Sequence, residues 1–258
     1  MKVVILAGGF GTRISEESMY KPKPMIELGG KPILWHIMKY YSSFGFNDFV
    51  ICAGYKQHVI KEFFANYFIH TSDVTFDFTK GDAMEVQDKH SEPWKVTVVD
   101  TGLNTLTGGR IKRIEKYVEG DDFMLTYGDG LSDVNLTELL KFHKENGKTV
   151  TMTAVQPGGR FGTLEINSDN RIDSFAEKKL EDGGWINGGF MVLNKNVFRY
   201  IEGDHTTFEK EPLENICKDK ELVAFKHYGF WKCMDTLRDK NAFEDLLASN
   251  SAPWKVWK

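Results

Sequence analysis

A glycine-rich loop close to the amino terminus is the first stretch of the sequence that could bind a ligand. Gly8, Gly9 and Gly11 follow a short apolar run at residues 3–6, which is typical of a parallel strand buried on both faces. Glycine has no Cβ atom, so backbone N–H groups at these positions can approach an anion closely. Arg13 adds a positive charge directly after the loop. The pattern therefore predicts a phosphate site at the end of the first strand.

Two well-known glycine loops do not account for this one. A Walker loop ends in Gly-Lys-Ser/Thr, whereas Gly11 is followed by Thr12 and Arg13. A dinucleotide fingerprint would need a third glycine where Ile14 stands. The segment at residues 21–24 reads Lys-Pro-Lys-Pro, and its prolines disfavour the second strand of a dinucleotide-binding fold.

Three positive side chains lie close to the loop in the sequence, namely Arg13, Lys21 and Lys23. A strand-to-helix turn without a chemical role would explain the glycines alone. It would not explain this local charge, since the whole chain has a formal net charge of -4. We therefore interpret the loop as a local polyphosphate site, in a protein with no overall attraction to nucleic acid or anionic membranes.

Two aspartates are candidate ligands of a divalent cation. Asp129 stands between Gly128 and Gly130, after an apolar run at residues 123–127, and open α/β sheets bind ligands at the carboxyl ends of their strands. An Asp-Gly turn is the alternative. Asp235 precedes a predicted helix, so an N-cap explains it fully and a second metal carboxylate is the functional alternative. One or two carboxylates with phosphate oxygens and water suit Mg²⁺ bound together with a nucleoside triphosphate.

Two further segments carry polar groups of interest. A second glycine-rich turn at residues 101–109 precedes Arg110, where we expect a helix to begin and to favour an anion. A capping turn with solvated basic residues explains the same pattern equally well. Glu177, Lys178 and the Asn-Gly-Gly-Phe segment at residues 187–190 could hydrogen-bond sugar hydroxyls, although an isolated lysine is usually only solvated.

The elements that must position these groups alternate along the first 150 residues. Apolar runs predict strands at residues 3–6, 48–53, 94–100 and 123–127. Amphipathic periodicity predicts helices at residues 32–44, 56–69 and 135–146. Later strands follow one another without helices, at residues 149–155, 160–166 and 171–175. The fold class is therefore α/β, with a Rossmann-like, mixed and mainly parallel sheet flanked by helices and a smaller antiparallel β extension in the C-terminal half.

The composition excludes several classes of protein. With 258 residues and a hydrophobic fraction of 41%, the chain is long and apolar enough for a globular core. Cys52, Cys217 and Cys233 lack the spacing of a zinc site or a disulfide framework. The apolar runs are too short for a membrane span or a signal peptide. We therefore expect a cytoplasmic enzyme with no membrane partner.

Taken together, these motifs resemble those of the sugar-1-phosphate nucleotidylyltransferases. The family signature matches in order, and nearly end to end, at residues 6–13, 21–24, 127–130, 177–178, 187–190 and 231–235. Further segments resemble the members that use CTP and glucose 1-phosphate, at residues 15–18, 99–102, 108–110, 234–240 and 252–255. The resemblance implies transfer of CMP from CTP to glucose 1-phosphate, giving CDP-glucose and pyrophosphate for deoxysugar and surface-polysaccharide (O-antigen) synthesis.

The resemblance also implies roles for individual residues. The nucleotide-binding residues would be Leu6, Ala7, Gly8, Gly9, Phe10, Gly11, Thr12, Arg13, Lys23, Thr105, Arg110 and Gly128. The sugar-binding residues would be Glu177, Lys178, Asn187 and Gly188. Asp129 and Asp235 would hold Mg²⁺, and the catalytic groups would be Arg13, Lys23, Asp129 and Lys178. Because the usual Glu-Lys-Pro reads Glu177-Lys178-Lys179 here, either lysine is a candidate for the sugar phosphate.

The sequence leaves the choice of nucleotide open and suggests how the chain is organised and assembled. The same chemistry with UTP or dTTP is the nearest alternative, and a non-catalytic sugar-nucleotide-binding protein is the second. We expect one domain over residues 1–258, with a mainly nucleotide-binding half (1–150) and a mainly sugar-binding and oligomerisation half (151–258). The family resemblance and the aromatic tail at residues 253–258 suggest a homo-oligomer, with a hexamer as one form, in which the tail packs on another subunit.

Overall fold

The computed structural model describes residues 1–81, 83–88, 90–156, 162–166, 172–177 and 184–257. Within these ranges the strands are β1 (Lys2–Ala7), β2 (Glu27–Leu28), β3 (Lys31–Pro32), β4 (Asp48–Ala53), β5 (Val74–Asp77), β6 (Ala83–Val86), β7 (Lys95–Asp100), β8 (Asp122–Tyr127), β9 (Gly130–Ser132), β10 (Val150–Val155), β11 (Gly162–Ile166), β12 (Ile172–Glu177), β13 (Ile186–Asn187), β14 (Met191–Asn194), β15 (Leu222–His227) and β16 (Trp231–Cys233). The helices are α1 (Ser15–Ser18), α2 (Ile33–Ser43), α3 (Gln57–Ala65), α4 (Tyr67–His70), α5 (Thr107–Arg113), α6 (Leu136–Asn146), α7 (Glu211–Lys218) and α8 (Leu237–Ala248). Short 3-10 helices lie at Thr12–Ile14, Lys23–Met25, Phe78–Lys80, Glu115–Tyr117 and Lys195–Tyr200.

Within the described part of the chain, eight strands form the central sheet. β1 pairs in parallel with both β4 and β8, and β4 pairs in parallel with β7. β14 runs antiparallel to β8, and β10 joins β13 and β14 in antiparallel fashion and β15 in parallel. The predicted mixed, mainly parallel sheet is therefore confirmed. Strands from before and after residue 150 share it.

Both faces of the sheet are covered, because the central strand carries apolar side chains on both sides. Every residue of β1 is buried. Val3 and Ile5 belong to the core beneath α2, α6 and α8, whereas Val4 and Leu6 belong to the core beneath α5, α7 and the 3-10 helix at Lys195–Tyr200. Each fully buried side chain of this size contributes roughly 1.5–3 kcal/mol. The strand that ends in the glycine loop is therefore held rigidly from above and below.

Small antiparallel sheets extend the central one. β5 and β6 form an antiparallel hairpin, and β11 pairs with β12 as expected of the antiparallel extension. β9 pairs with β16, with Gly130 opposite Cys233. This last pairing brings the chain after β8 beside the segment that leads into α8. None of the helices in the described ranges is long and apolar enough to cross a membrane.

Two helices differ from the sequence expectation. The helix expected over residues 56–69 is divided at Asn66 into α3 and α4. α5 begins at Thr107, so the prediction that a helix starts at Arg110 is wrong. The N–H of Arg110 donates to the carbonyl oxygen of Leu106 at 3.0 Å, an ordinary intrahelical bond. Arg110 is therefore an interior helical residue rather than part of an anion-binding helix terminus.

The aromatic tail packs on its own chain. Trp254 is fully buried, with its ring 5.3 Å from Phe243 and 5.6 Å from Phe230. Its indole N–H donates to Nδ1 of His36 at 3.4 Å, while Nε2 of His36 lies 2.8 Å from the carbonyl oxygen of Leu28. Trp254 therefore completes a core within one subunit, and the expectation that the tail packs on another subunit is wrong for this residue.

The His36 contacts predict a pH-dependent stability. Burial lowers the pKa of His36, because the charged ring would lose its hydration. The neutral ring satisfies both contacts, with a proton on Nε2 and a lone pair on Nδ1. The unfolded chain then binds more protons, so stability is full above the unfolded pKa, about 6.5, and falls as the pH drops below it. Thermal unfolding followed by circular dichroism should show a larger loss of Tm on acidification for the wild type than for His36→Gln. The exposed His58→Gln should retain the wild-type profile, and identical profiles for wild type and His36→Gln would contradict the assignment.

Candidate active site

A pocket of about 480 Å³ opens at the carboxyl ends of β1 and β8. Its walls are the glycine loop, the Lys23–Met25 turn, the turn before α5 and the end of β8. All residues that the resemblance assigned to the nucleotide line it, together with Asp129. The structure therefore brings together segments that are up to about 120 residues apart in the sequence, from Leu6 to Asp129.

Close packing explains two of the glycines at this pocket. A Cβ atom on Gly8 would lie 2.1 Å from Nη1 of Arg110. A Cβ atom on Gly128 would lie 2.8 Å from the carbonyl oxygen of Leu6 and 2.9 Å from Cγ of Pro24. The ends of β1 and β8 therefore approach each other and the Lys23 turn more closely than any side chain allows.

Arg110 lies directly beneath the glycine loop and is only 5% exposed. Its guanidinium donates to the carbonyl oxygens of Gly8 at 3.0 Å and Gly102 at 2.8 Å, and to the hydroxyl of Thr101 at 2.7 Å. Burial lowers the pKa of Arg110. The side chain thus joins the turns after β1 and β7, and the groups it contacts are those that set the shape of the loop.

A charge cluster closes the opposite side of the pocket. Nζ of Lys23 lies 2.6 Å from Oδ2 of Asp129 and 2.8 Å from Oδ1 of Asp235. Nη1 of Arg13 lies 2.6 Å from Oδ2 of Asp235. The formal charges of these four side chains cancel. The Lys23 side chain is 10% exposed and that of Arg13 is 70% exposed, so the lysine is enclosed by its neighbours whereas the arginine extends into solvent.

The pairing of two short strands explains why Asp129 and Asp235 lie next to the same lysine. Asp129 lies between β8 and β9, and the antiparallel pairing of β9 with β16 brings Asp235 alongside it. The N–H of Met234 donates to the carbonyl oxygen of Asp129 at 2.8 Å. The N-cap of α8 is Thr236, which forms a capping box with Asp239. The cap interpretation of Asp235 is therefore wrong, and its carboxylate is available for the charge cluster.

Interactions within the cluster favour the charged forms of Lys23 and Asp235. Burial disfavours the charge of Lys23, but Asp129 and Asp235 outweigh it and raise the pKa of Lys23 above its usual value. Burial also opposes the charge of Asp235, but Lys23 and Arg13 outweigh it and lower the pKa of Asp235. Burial and the neighbouring carboxylates raise the pKa of Cys233 to about 11, so its thiol is protonated at neutral pH. The cluster therefore offers charged groups rather than a nucleophile.

The carboxylates fit a divalent metal ion. Both already contact one cation, the ammonium group of Lys23, so they converge on a common point. In the described ranges no group of three or more His, Cys, Asp and Glu side chains is arranged to hold a metal. Two carboxylates leave further coordination positions for phosphate oxygens and water, which is the arrangement Mg²⁺ prefers.

A hydrogen-bonded chain that the sequence did not reveal borders the pocket. Asn187 donates to the hydroxyl of Tyr127 at 3.1 Å, and Tyr127 donates to Glu209 at 2.6 Å. Thr107 donates to the other carboxylate oxygen of Glu209, also at 2.6 Å. Tyr127 and Thr107 line the pocket, so Asn187 is connected to its wall. Tyr127 could have been identified from the sequence, because it directly precedes the Gly-Asp-Gly motif. Glu209 lies in a loop, and no motif surrounds it.

The remaining candidate residues that the structure describes are not among those that line the pocket. The carbonyl oxygen of Gly188 accepts a hydrogen bond from Nε1 of Trp231 at 2.6 Å, beside Asn187 in β13. Glu177 is the last residue of β12. Lys178 and Lys179 lie outside the described residues. Lys21, which sequence reasoning had grouped with the phosphate-binding cations, pairs with Glu27 at 2.9 Å instead.

The packing at Gly128 predicts a contrast between two alanine substitutions. Gly128→Ala should lower the free energy of unfolding by about 1–3 kcal/mol, because the new Cβ meets backbone and proline atoms that cannot yield. Gly9→Ala should stay within about 0.5 kcal/mol of the wild type, since no described atom lies within 4 Å of the new Cβ and φ lies outside the left-handed region. Urea denaturation of the two variants and the wild type measures both changes in the free energy of unfolding. Equal losses would contradict this account of the pocket.

Comparisons with known proteins identify the family. The profile described as "Nucleotidyl transferase" matches residues 2–239. The "Glucose-1-phosphate cytidylyltransferase" of Salmonella typhimurium is 56% identical over 259 residues, and that of Bacillus subtilis, named "Probable glucose-1-phosphate cytidylyltransferase", is 43% identical over 258 residues, with 100% of each chain covered in both alignments. The solved inositol-1-phosphate CTP transferase of T. maritima has the same fold, with a TM-score of 0.67 at 15% identity over 99% of this chain and 96% of its own. The family profile and the full-length relatives therefore show that this chain, with its pocket at the strand ends, belongs to the nucleotidyl transferase family.

Proposed function

We propose that this protein transfers CMP from CTP to glucose 1-phosphate, forming CDP-glucose and pyrophosphate. The observation that carries the proposal is the pocket itself. It combines a glycine loop, Arg13 and Lys23 with a carboxylate on the facing strand end. The full-length relatives from S. typhimurium and B. subtilis are named for this activity, which supports the choice of CTP and of the sugar phosphate.

The nucleotide phosphates would lie against the glycine loop, with Arg13 and Lys23 contacting those that leave as pyrophosphate. Backbone N–H groups of a glycine loop and two cations suit a polyanion. Thr105 and the loop residues would contact the rest of the nucleotide. Arg110 would act chiefly by holding the loop, since its guanidinium already donates to the carbonyl of Gly8 and to the turn after β7.

The carboxylates of Asp129 and Asp235 would hold Mg²⁺. When bound, Mg²⁺ would neutralise phosphate charge and orient the reacting groups. Glu177, Asn187 and Gly188 would contact the sugar hydroxyls, and Lys178 or Lys179 the sugar phosphate. The contact of Asn187 with Tyr127 at 3.1 Å supports a sugar site next to the nucleotide pocket.

The reaction would be an in-line displacement at the α-phosphorus of CTP. A phosphate oxygen of glucose 1-phosphate forms a new bond to that phosphorus. The bond from the α-phosphorus to the bridging oxygen breaks, and pyrophosphate leaves with the electron pair. Arg13 and Lys23 would offset the charge on the leaving group. Such a reaction needs positioning and charge neutralisation rather than a protein nucleophile, which agrees with the protonated thiol of Cys233.

A nucleotide panel tests the proposal directly. The purified protein is incubated with Mg²⁺, glucose 1-phosphate and CTP, UTP, dTTP, ATP or GTP in turn, and pyrophosphate release is measured. We expect CTP to be preferred and CDP-glucose to be the product. Preference for UTP or dTTP would establish the alternative uridylyl or thymidylyl transfer. Nucleotide binding without pyrophosphate release would establish a non-catalytic binding protein.

The metal assignment predicts the effect of removing one carboxylate. Asp129→Asn should lower kcat by a factor of about 100 or more, because a charged group that stabilises the transition state is lost from a sheltered site. Asp121→Asn, a change of the same kind at an exposed pair with Lys195, should leave kcat unchanged. Steady-state kinetics with circular dichroism on both variants checks this. Turnover of Asp129→Asn close to that of the wild type would refute the assignment.

We also propose that the chain forms one domain and acts as a homo-oligomer. The central sheet, which contains strands from before and after residue 150, supports the single domain. The family resemblance supports the oligomer, with a hexamer as one form, whereas the buried Trp254 does not. Light scattering coupled to size-exclusion chromatography would measure the assembly, and a monomeric mass would contradict it.

A further inference from the structure

Lys23 occupies the point on which the proposed metal ligands converge. Its ammonium group lies 2.6 Å from a carboxylate oxygen of Asp129 and 2.8 Å from one of Asp235. Arg13 contacts the second oxygen of Asp235 at 2.6 Å. A divalent cation that enters this cluster must therefore compete with positive charges that the chain itself supplies.

Both of these cations also face the pocket. Arg13 and Lys23 line it together with the glycine loop, so a polyphosphate bound there offers each of them a second set of oxygens. The backbone of Lys23 is held by its 3-10 turn, in which Ile26 N–H donates to the carbonyl of Lys23 at 3.1 Å. Rotation of the lysine side chain toward the pocket would move its charge away from the carboxylates, and the exposed Arg13 is free to follow.

We propose that Lys23, assisted by Arg13, holds the carboxylates of Asp129 and Asp235 until a polyphosphate arrives, so that the free protein binds divalent metal weakly and metal and nucleotide bind cooperatively. Withdrawal of the two cations toward phosphate leaves the carboxylates with a net negative charge, which then attracts the metal. Coupling of this kind is reciprocal, so the metal strengthens nucleotide binding by the same factor. This inference rests on the proposed function for the identity of the polyphosphate.

The test measures metal binding in the absence of any nucleotide. Mn²⁺ is titrated into free protein, and unbound Mn²⁺ is quantified by electron paramagnetic resonance. Lys23→Met keeps the length of the side chain and removes its charge, so it should bind Mn²⁺ about tenfold or more tightly than the wild type. Lys23→Arg retains a cation and should bind as weakly as the wild type. Circular dichroism and thermal melts establish that each variant is folded.

Matched variants place the effect at this site. Lys21→Met removes a charge two residues away that pairs with Glu27, and it should change Mn²⁺ affinity by less than about twofold because such surface pairs contribute little. Adding Asp129→Asn to Lys23→Met should abolish the tighter binding. The proposal is overturned if folded Lys23→Met binds Mn²⁺ no more tightly than the wild type, or if its tighter binding survives the loss of Asp129.

The nucleotide panel separates failure of this inference from failure of the proposed function. If CDP-glucose forms but Lys23→Met binds Mn²⁺ no more tightly, the activity stands and the role of Lys23 as a resident cation is wrong. If Lys23→Met gains Mn²⁺ affinity but CTP is not used, the competition for the carboxylates stands and the choice of nucleotide is wrong.

Discussion

The contacts of one ammonium group, that of Lys23, unite the charged part of the site. They join the turn that follows the glycine loop to Asp129 after β8 and to Asp235 after β16. Because Lys23 is buried, removal of either carboxylate partner would leave a charge uncompensated in a sheltered environment, which is costly in proteins. The cluster is stable without a ligand because it is neutral, and it suits a ligand that carries both signs of charge, such as a metal–phosphate complex.

The central sheet determines where this cluster can form. β1 and β8 are parallel neighbours, so their carboxyl ends and the loops that leave them lie at one edge. Gly8 and Gly128 permit these loops to approach Arg110 and the Lys23 turn without side-chain collisions. Arg110 then joins the turns after β1 and β7 from beneath. A rigid sheet with apolar cores on both faces thereby holds polar groups that could not otherwise stay close together.

The chemistry that the site offers is electrostatic. The thiol of Cys233 is near the carboxylates, but its pKa of about 11 keeps it protonated. Lys23 and Asp235, by contrast, favour each other's charged forms, which suits the transfer of a phosphoryl-type group between polyanions. The nucleotidyl transferase family to which the chain belongs is consistent with this division between positioning by the fold and charge compensation by the cluster.

The sequence by itself determined the two strands that precede the glycine loop and the Asp129 motif, the antiparallel extension and, through the family resemblance, the residues that line the pocket. These features follow from local patterns: an apolar run that ends in glycine, helical periodicity and a family signature. The sequence was misleading where a local structural explanation competed with a functional one. Asp235 looked like a helix cap, but the cap is Thr236, and Arg110 looked like the start of a helix, but it lies inside one.

Only the tertiary structure decided those cases, because each depends on a partner far away in the sequence. Asp235 faces Lys23 since β9 and β16 pair, and no pattern within either segment encodes that pairing. Trp254 is buried since its indole meets His36 and Phe243 across the core. Glu209 borders the site since Tyr127 and Thr107 donate to it from a strand end and a helix start. Local sequence specifies which groups are present, whereas long-range packing specifies which of them meet.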